Sequence, residues 1–368
     1  MSARNHLLTL SLVTTLASPL AAMAEPIYAL TFLPQNVSNA VEIDKTGRIA
    51  LTFIDPAIAQ AGLWAGGPII PLGFLGTGTL SVAFDMSRNG RYVSGYSEIS
   101  SGPNFGPHAF VYAHGQMNDI GTLGGARSIA RAVNDSGQAA GDSETTAGAS
   151  HAFVYKNGVM HDLGTLGGPA AEAAAINNAG VVVGSSSVDA QGQLSHAYVT
   201  NRHGGLTDLG TLPGGTLSFA AEINDAGLIA GTSNGTGFED STHAFLVENG
   251  VMRDISTLEG PTTVRGMNNL GQVVGAAGLT GYLYTNGQMV DLNSLIDPTL
   301  GWHVQGATGI NDAQQIVAAV FNFARNEGRW VRLDLISAVP EPGAYAMWLC
   351  GLLLLGARRR GGAGACFA

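Results

Sequence analysis

Between residues 25 and 337 the chain is a succession of short apolar and aromatic runs separated by Gly, Asn and Asp. Runs of this kind, rich in Val, Ile, Phe and Tyr and closed by turn residues, predict strands, and no segment keeps a helical period. The strands come in two kinds of hairpin. In the first, His108-Ala109-Phe110-Val111-Tyr112 passes through a Gly turn to Asp119-Ile120-Gly121-Thr122-Leu123-Gly124-Gly125. The same phrase returns at His151-Ala152-Phe153, with Asp162-Leu163-Gly164-Thr165-Leu166, and again at His196-Ala197-Tyr198 and His243-Ala244-Phe245. Its turns are Asn157-Gly158, Asn249-Gly250 and Asn286-Gly287, with His114-Gly115 and His203-Gly204-Gly205 as variants. Asn-Gly is a strong hairpin signal because both residues tolerate positive φ.

The second hairpin carries an Ile-Asn-Asp-x-Gly turn followed by β-branched residues, as in Ile223-Asn224-Asp225-Ala226-Gly227. The Asx side chain starts the turn, and the glycine takes the left-handed conformation that closes it. That glycine recurs at Gly47, Gly90, Gly137, Gly180, Gly227 and Gly271, with Gln314 in its place in the last copy. The intervals are 43, 47, 43, 47, 44 and 43 residues. The first hairpin is also counted seven times, starting near Ala61, His108, His151, His196, His243, Thr280 and Phe321. Seven of each predict an all-β, seven-bladed β-propeller of four-stranded blades over residues 25–337. The body opens with a second-type hairpin (Val41 to Phe53) and closes with a first-type one (Asn322 to Leu335). A blade shared between the two ends would seal the ring; the alternative, an open β-solenoid, would call for capping repeats that the chain does not show.

The two ends read as addresses. Arg4, the apolar stretch Leu7 to Ala22 and the small residues Ala22 and Ala24 form a signal peptide over residues 1–24, cleaved before Glu25. Residues 338–368 hold Pro340-Glu341-Pro342, an uncharged run expected to form a short hydrophobic helix over 344–357, and then Arg358-Arg359-Arg360. The run is shorter than the roughly 20 residues of a usual spanning helix, and the arginines would keep its end cytoplasmic. These three ordered elements resemble the PEP-CTERM sorting signal of Gram-negative bacteria. The resemblance implies an exosortase as partner, a transient inner-membrane anchor, and delivery to the cell surface or extracellular matrix. The repeat itself, from about residue 61 to 300, resembles the HAF family of extracellular bacterial repeats, which brings a location and no catalytic reaction.

Composition narrows the partners. The chain has 17 basic and 27 acidic residues, a net charge of −10, and removing both addresses takes it to about −13. Such a surface disfavours nucleic acid and anionic lipid, leaving the tail as the contact with a membrane. Both cysteines, Cys350 and Cys366, lie in the tail, so the body has no disulfide.

Candidate chemistry is sparse. His108, His151, His196 and His243 head four successive units and could form a metal ring or catalytic set only if they lay on innermost strands. A residue repeated with the unit more often serves the unit, so these histidines, like Gly137, Gly180, Gly227 and Gly271, are read as structural. His114, His161, His203 and His303 show no ligand spacing. Calcium is the one cofactor suggested, by the Asn-Asp turns at 134–135, 177–178, 224–225, 268–269 and 311–312. Those turns offer one or two side chains where calcium takes six to eight oxygens, and hairpin chemistry accounts for them. Glu172, Glu222 and Asp240 are taken as surface acids on blade loops, and no catalytic or cofactor-binding motif is found. The expected function is an exported, non-catalytic binding or scaffold protein associated with exopolysaccharide or another surface glycan. The alternative is a carbohydrate-active propeller enzyme, a lyase or hydrolase.

Overall fold

The computed structural model describes residues 27–99, 106–201, 204–235 and 242–336. They form seven antiparallel sheets of four strands each, with two short 3-10 turns at Leu292–Leu295 and Pro298–Leu300. The first strands of blades 1 to 7 are Val37–Ile43, Ser81–Met86, Gly124–Val133, Ala171–Ile176, Ser218–Ile223, Thr262–Met267 and His303–Ile310. Each touches the first strand of the blade on either side, and blade 7 returns to blade 1, where Thr308 Oγ1 donates to Ala40 O at 2.8 Å. The structure is therefore a closed seven-bladed propeller with its first strands around the axis, and not an open solenoid.

The two repeated hairpins occupy fixed layers of blades 1 to 6. The Ile-Asn hairpin makes the inner two strands and the His-Ala-Phe hairpin the outer two, as in blade 3: Gly124–Val133, Ala139–Thr145, Ser150–Lys156, Val159–Gly164. The glycine that ends the Val-Val-Gly phrase sits directly opposite the His-Ala-Phe aromatic: Gly141 pairs with Phe153, Gly184 with Tyr198, Gly231 with Phe245. A Cβ at Gly141, Gly184 or Gly231 would overlap the carbonyl of Ile129, Glu172 or Phe219 in the inner strand. The glycine thus brings the inner strands close together, and the aromatic ring covers the ladder it leaves bare.

The contacts between blades include those buried aromatics and a set of buried serines. Ser128 Oγ, at the start of blade 3, accepts from Ala109 N of blade 2 at 2.9 Å and donates to Gly121 O at 2.6 Å. Ser81 and Ser218 bridge their preceding blades in the same way. The aromatic position itself carries a test. Phe110, Phe153, Tyr198, Phe245 and Tyr282 are all buried completely. Tyr282 OH donates to Thr263 O at 3.1 Å, whereas Tyr198 OH has no hydrogen-bond partner among the described residues. Tyr198→Phe should therefore stabilise the protein by up to about 1 kcal/mol, and Tyr282→Phe should cost about as much. Urea midpoints of the two variants would show it; equal shifts would mean that the Tyr198 hydroxyl is satisfied in solution.

Two expectations about closure are corrected. The structural blade starts with the Ile-Asn hairpin, half a unit out of step with a count that begins at His-Ala-Phe. No seventh first-type hairpin runs from Asn322 to Leu335: Ile316–Asn322 and Glu327–Ile336 are the second and third strands of blade 7. Its outermost strand is Ile27–Phe32, from the other end of the chain, paired antiparallel so that Tyr28 faces Leu335 and Phe32 faces Val331. One strand, and not a hairpin, crosses the seam. The strand was missed because a single run without a paired turn carries no hairpin signature.

Candidate functional site

The four repeated histidines stand on third strands, two strands away from the axis, and do not converge. Each instead meets the aspartate of its own Asp-Leu-Gly phrase on the fourth strand. His108 Nδ1 lies 2.9 Å from Asp119, His151 2.9 Å from Asp162, His196 2.9 Å from Asp208 and His243 2.7 Å from Asp254. The same aspartates accept from the backbone N–H two residues on, at Gly121, Gly164, Gly210 and Ser256. Histidine and aspartate are thus two ends of one contact that holds the outer hairpin together where it turns back towards the next blade.

The Asn-Asp turns lie around one face of the ring. Gly137, Gly180, Gly227 and Gly271 close them at φ of 75°, 77°, 83° and 76°, and Gln314 takes the same left-handed conformation at 61°. Their side chains do more than hairpin chemistry requires. Asn177 Oδ1 accepts from Ala179 N and Val181 N of its own turn, while Nδ2 donates to Asn224 O of the next blade at 3.1 Å. Asn134, Asn224, Asn268 and Asn311 reach the following blade likewise, the last of them at Asp44 O. The second turn residue adds a parallel link, as from Asn178 N to Asp225 Oδ1 at 2.9 Å. Blades 1 to 2 and 2 to 3 are joined by Lys45 N to Arg88 O and by Asn89 N to Asp135 Oδ1. The turn residues therefore form a belt of hydrogen bonds around the ring. Their oxygens are spent on amide donors, and among the described residues no group of three or more His, Cys, Asp or Glu is arranged to hold a metal ion.

Inside the belt lies an axial cavity of about 260 Å³. Every first strand has a register irregularity just before its turn, between Ala40 and Glu42, Ala83 and Asp85, Ala130 and Ala132, Ala173 and Ala175, Ala220 and Glu222, Val264 and Gly266, and Ala307 and Gly309. A bulge re-aims the side chain beside it, and the bulges recur at the same level in all seven first strands. Those positions read Glu42, Asp85, Ala132, Ala175, Glu222, Gly266 and Gly309. A Cβ at Gly266 or Gly309 would press on the first strand of the next blade, whereas blades 1, 2 and 5 place carboxyls in the cavity wall. Glu222 is accordingly no loop acid, and Glu172 also lies on a first strand; Asp240 is outside the described residues. The signal legible in the sequence was the residue two places before the first residue of each second-type turn, acidic in blades 1, 2 and 5 and small in the other four.

Protein surrounds these carboxyls, and their exposure is to the cavity. Burial pushes the Glu42 carboxyl up to about 8, with help from the nearby Asp85 charge, and raises Asp85 to about 6. Glu222 is raised well above the usual carboxylate range by burial and then by the charges of Glu42 and Asp85. Asp85 is pinned by Met86 N and Val133 N, both at 2.7 Å, and Glu42 by Ile43 N at 2.9 Å. Glu222 has no hydrogen-bond donor among the described residues. Arg88, from blade 2, reaches Met267 O of blade 6 at 3.2 Å and favours the ionised form of all three carboxyls. Arg131 is held by Asp142 at 2.7 Å and Glu172 at 3.4 Å, and Arg265 lies exposed at the cavity wall. The cavity can thus hold protonated and ionised carboxyls side by side.

The sorting residues Ala22, Ala24, Pro340, Glu341, Pro342, Arg358, Arg359 and Arg360, and the expected helix over 344–357, lie outside the described residues. Among those described, no helix is long and apolar enough to cross a membrane. No protein-family model matches the chain, and no curated protein matches it. Among solved structures it is similar to TolB from Acinetobacter baumannii, at 12% identity and a TM-score of 0.44 over 80% of this chain and 65% of that one. It is also similar to YCF48 bound to D1 peptide, at 11% identity and a TM-score of 0.49 over 85% of this chain and 100% of that one. A putative gluconolactonase aligns at 11% identity and a TM-score of 0.40, over 84% of this chain and 94% of that one. This chain spans about two thirds of the TolB chain (65%), and at such identities none of these proteins' activities transfers to it. What is established for this chain is the architecture: an all-β, seven-bladed propeller.

Proposed function

We propose that the chain is an exported, non-catalytic propeller that binds or scaffolds exopolysaccharide or another surface glycan, delivered by its PEP-CTERM-like tail. The observation that carries the reading is the axial cavity, the concave polar site of a ring whose repeated His, Asp, Asn and Ser residues are spent on the ring's own ties. Concave sites with a few convergent polar groups are where small ligands and sugar units bind. The channel carboxyls favour a second reading, a carbohydrate-active lyase or hydrolase. Glu42 or Glu222 would hold the proton to be donated, and Asp85 would be the base. Against it, both oxygens of Asp85 are already engaged by backbone N–H groups.

Glycan-array binding by the purified 25–338 unit, with product analysis on any hit, separates the two. Binding without turnover supports the scaffold; release of shortened or unsaturated products overturns it. For delivery, the double variant Pro340→Ala, Pro342→Ala should accumulate as a larger precursor in the inner membrane. Unchanged processing and surface delivery would sink the sorting proposal.

A further inference from the structure

We propose that the axial cavity holds a ligand carrying a primary ammonium group, seated against Glu222 in the space that Glu42 and Asp85 also line. The inference rests on the reading of the cavity as the binding site and names the chemistry it selects. Three carboxyls from blades 1, 2 and 5 share the cavity, and the one cation acting on all of them is Arg88, already engaged with Met267 O. Arg131 is consumed by Asp142 and Glu172. Glu42 and Asp85 have backbone donors, but Glu222, deep in the cavity, has none among the described residues. Arg265 stands exposed at the cavity wall, but Glu222 itself is left short of donors, and an ammonium supplies three.

Other chemistries fit less well. A metal ion would need several carboxylates converging at short range, an arrangement not found among the described residues. An anionic glycan would meet three carboxyls here and a chain of net charge −10. At about 260 Å³ the cavity falls just below the roughly 300–1,000 Å³ of pockets for drug-sized ligands, which suits one sugar ring or a short alkylamine. The same ammonium chemistry is offered by a deacetylated amino-sugar unit of a polysaccharide and by a free polyamine.

Three probes distinguish these sources in calorimetric titrations of the 25–338 unit, which holds every strand of the ring. They are a glucosamine tetramer, its fully N-acetylated counterpart and spermidine. The free-amine tetramer is expected to bind at least about tenfold more tightly than the acetylated one, and Glu222→Gln to weaken it at least about tenfold. Wild-type protein provides a reading free of any folding defect in the variant. Equal binding of both tetramers would overturn the ammonium site and leave the glycan reading standing. Binding of spermidine with neither tetramer would keep the ammonium site and remove the glycan. No binding of either amine, or an unaltered affinity in folded Glu222→Gln, would overturn the proposal.

Discussion

Raising the pH from about 5 to about 8 is expected to lower the unfolding free energy of the propeller by an amount on the order of a few kcal/mol. In the unfolded chain Glu42, Asp85 and Glu222 ionise in the ordinary carboxylate range, near pH 4 to 4.5. In the folded ring burial raises all three, Asp85 to about 6 and Glu42 to about 8. Between those limits the native state binds more protons than the unfolded state, so stability is fullest below the unfolded values and declines as pH rises through the folded ones. Urea unfolding at a series of pH values measures the slope. Glu42→Gln and Glu222→Gln should flatten it and leave the variants more stable than wild type at about pH 8. A wild type equally stable at both ends would mean that the channel carboxyls are hydrated and ionised throughout.

The largest loss of stability is expected from deleting residues 27–32, the one strand through which the two ends of the chain meet in blade 7. It pairs along its whole length with Glu327–Ile336, and Thr31 Oγ1 donates to Asp334 at 2.7 Å. Tyr28, 1% exposed, packs with Leu292, Leu295, Ile296 and Leu333, so the strand also joins blade 6's final turn to blade 7. Tyr28→Ala alone should cost about 3–5 kcal/mol, the range for emptying a large aromatic site. Deletion of the strand should go further, baring Glu327–Ile336 as an unpaired edge and making the protein protease-sensitive and prone to self-association. Urea midpoints, limited proteolysis and size-exclusion profiles would register it. A deleted chain that unfolds at the wild-type midpoint would show that the ring closes without this strand.

Much of this architecture was written locally. Asn157-Gly158 and Asn249-Gly250 are hairpin turns in the structure with positive φ at both residues, and Gln314 adopts the glycine conformation that its position in the count required. Four strands per unit and seven units follow from such turns because each is decided within a few residues. The frame of the blade was not local: a repeating string has no marked beginning, and only the pairing of Ile27–Phe32 with Glu327–Ile336 shows where a blade starts. The Asn-Asp turns illustrate the same limit. Asn177 Oδ1 serves its own turn, as its sequence context implies, whereas Nδ2 serves a residue 47 positions away.

The channel was the least legible part. Glu42, Asp85 and Glu222 are separated by 43 and 137 residues and match no catalytic spacing. A bulge in each first strand turns them inward, and ring closure then sets equivalent positions of all seven blades around one axis. By itself, the sequence determined the repeated hairpins, their turns and the number of blades, because period and turn chemistry act over short range. The tertiary structure alone decided which strand seals the ring, which residues link one blade to the next, and that three distant carboxyls share one cavity. Those outcomes come from curvature and closure, which appear only when every blade has found its neighbour.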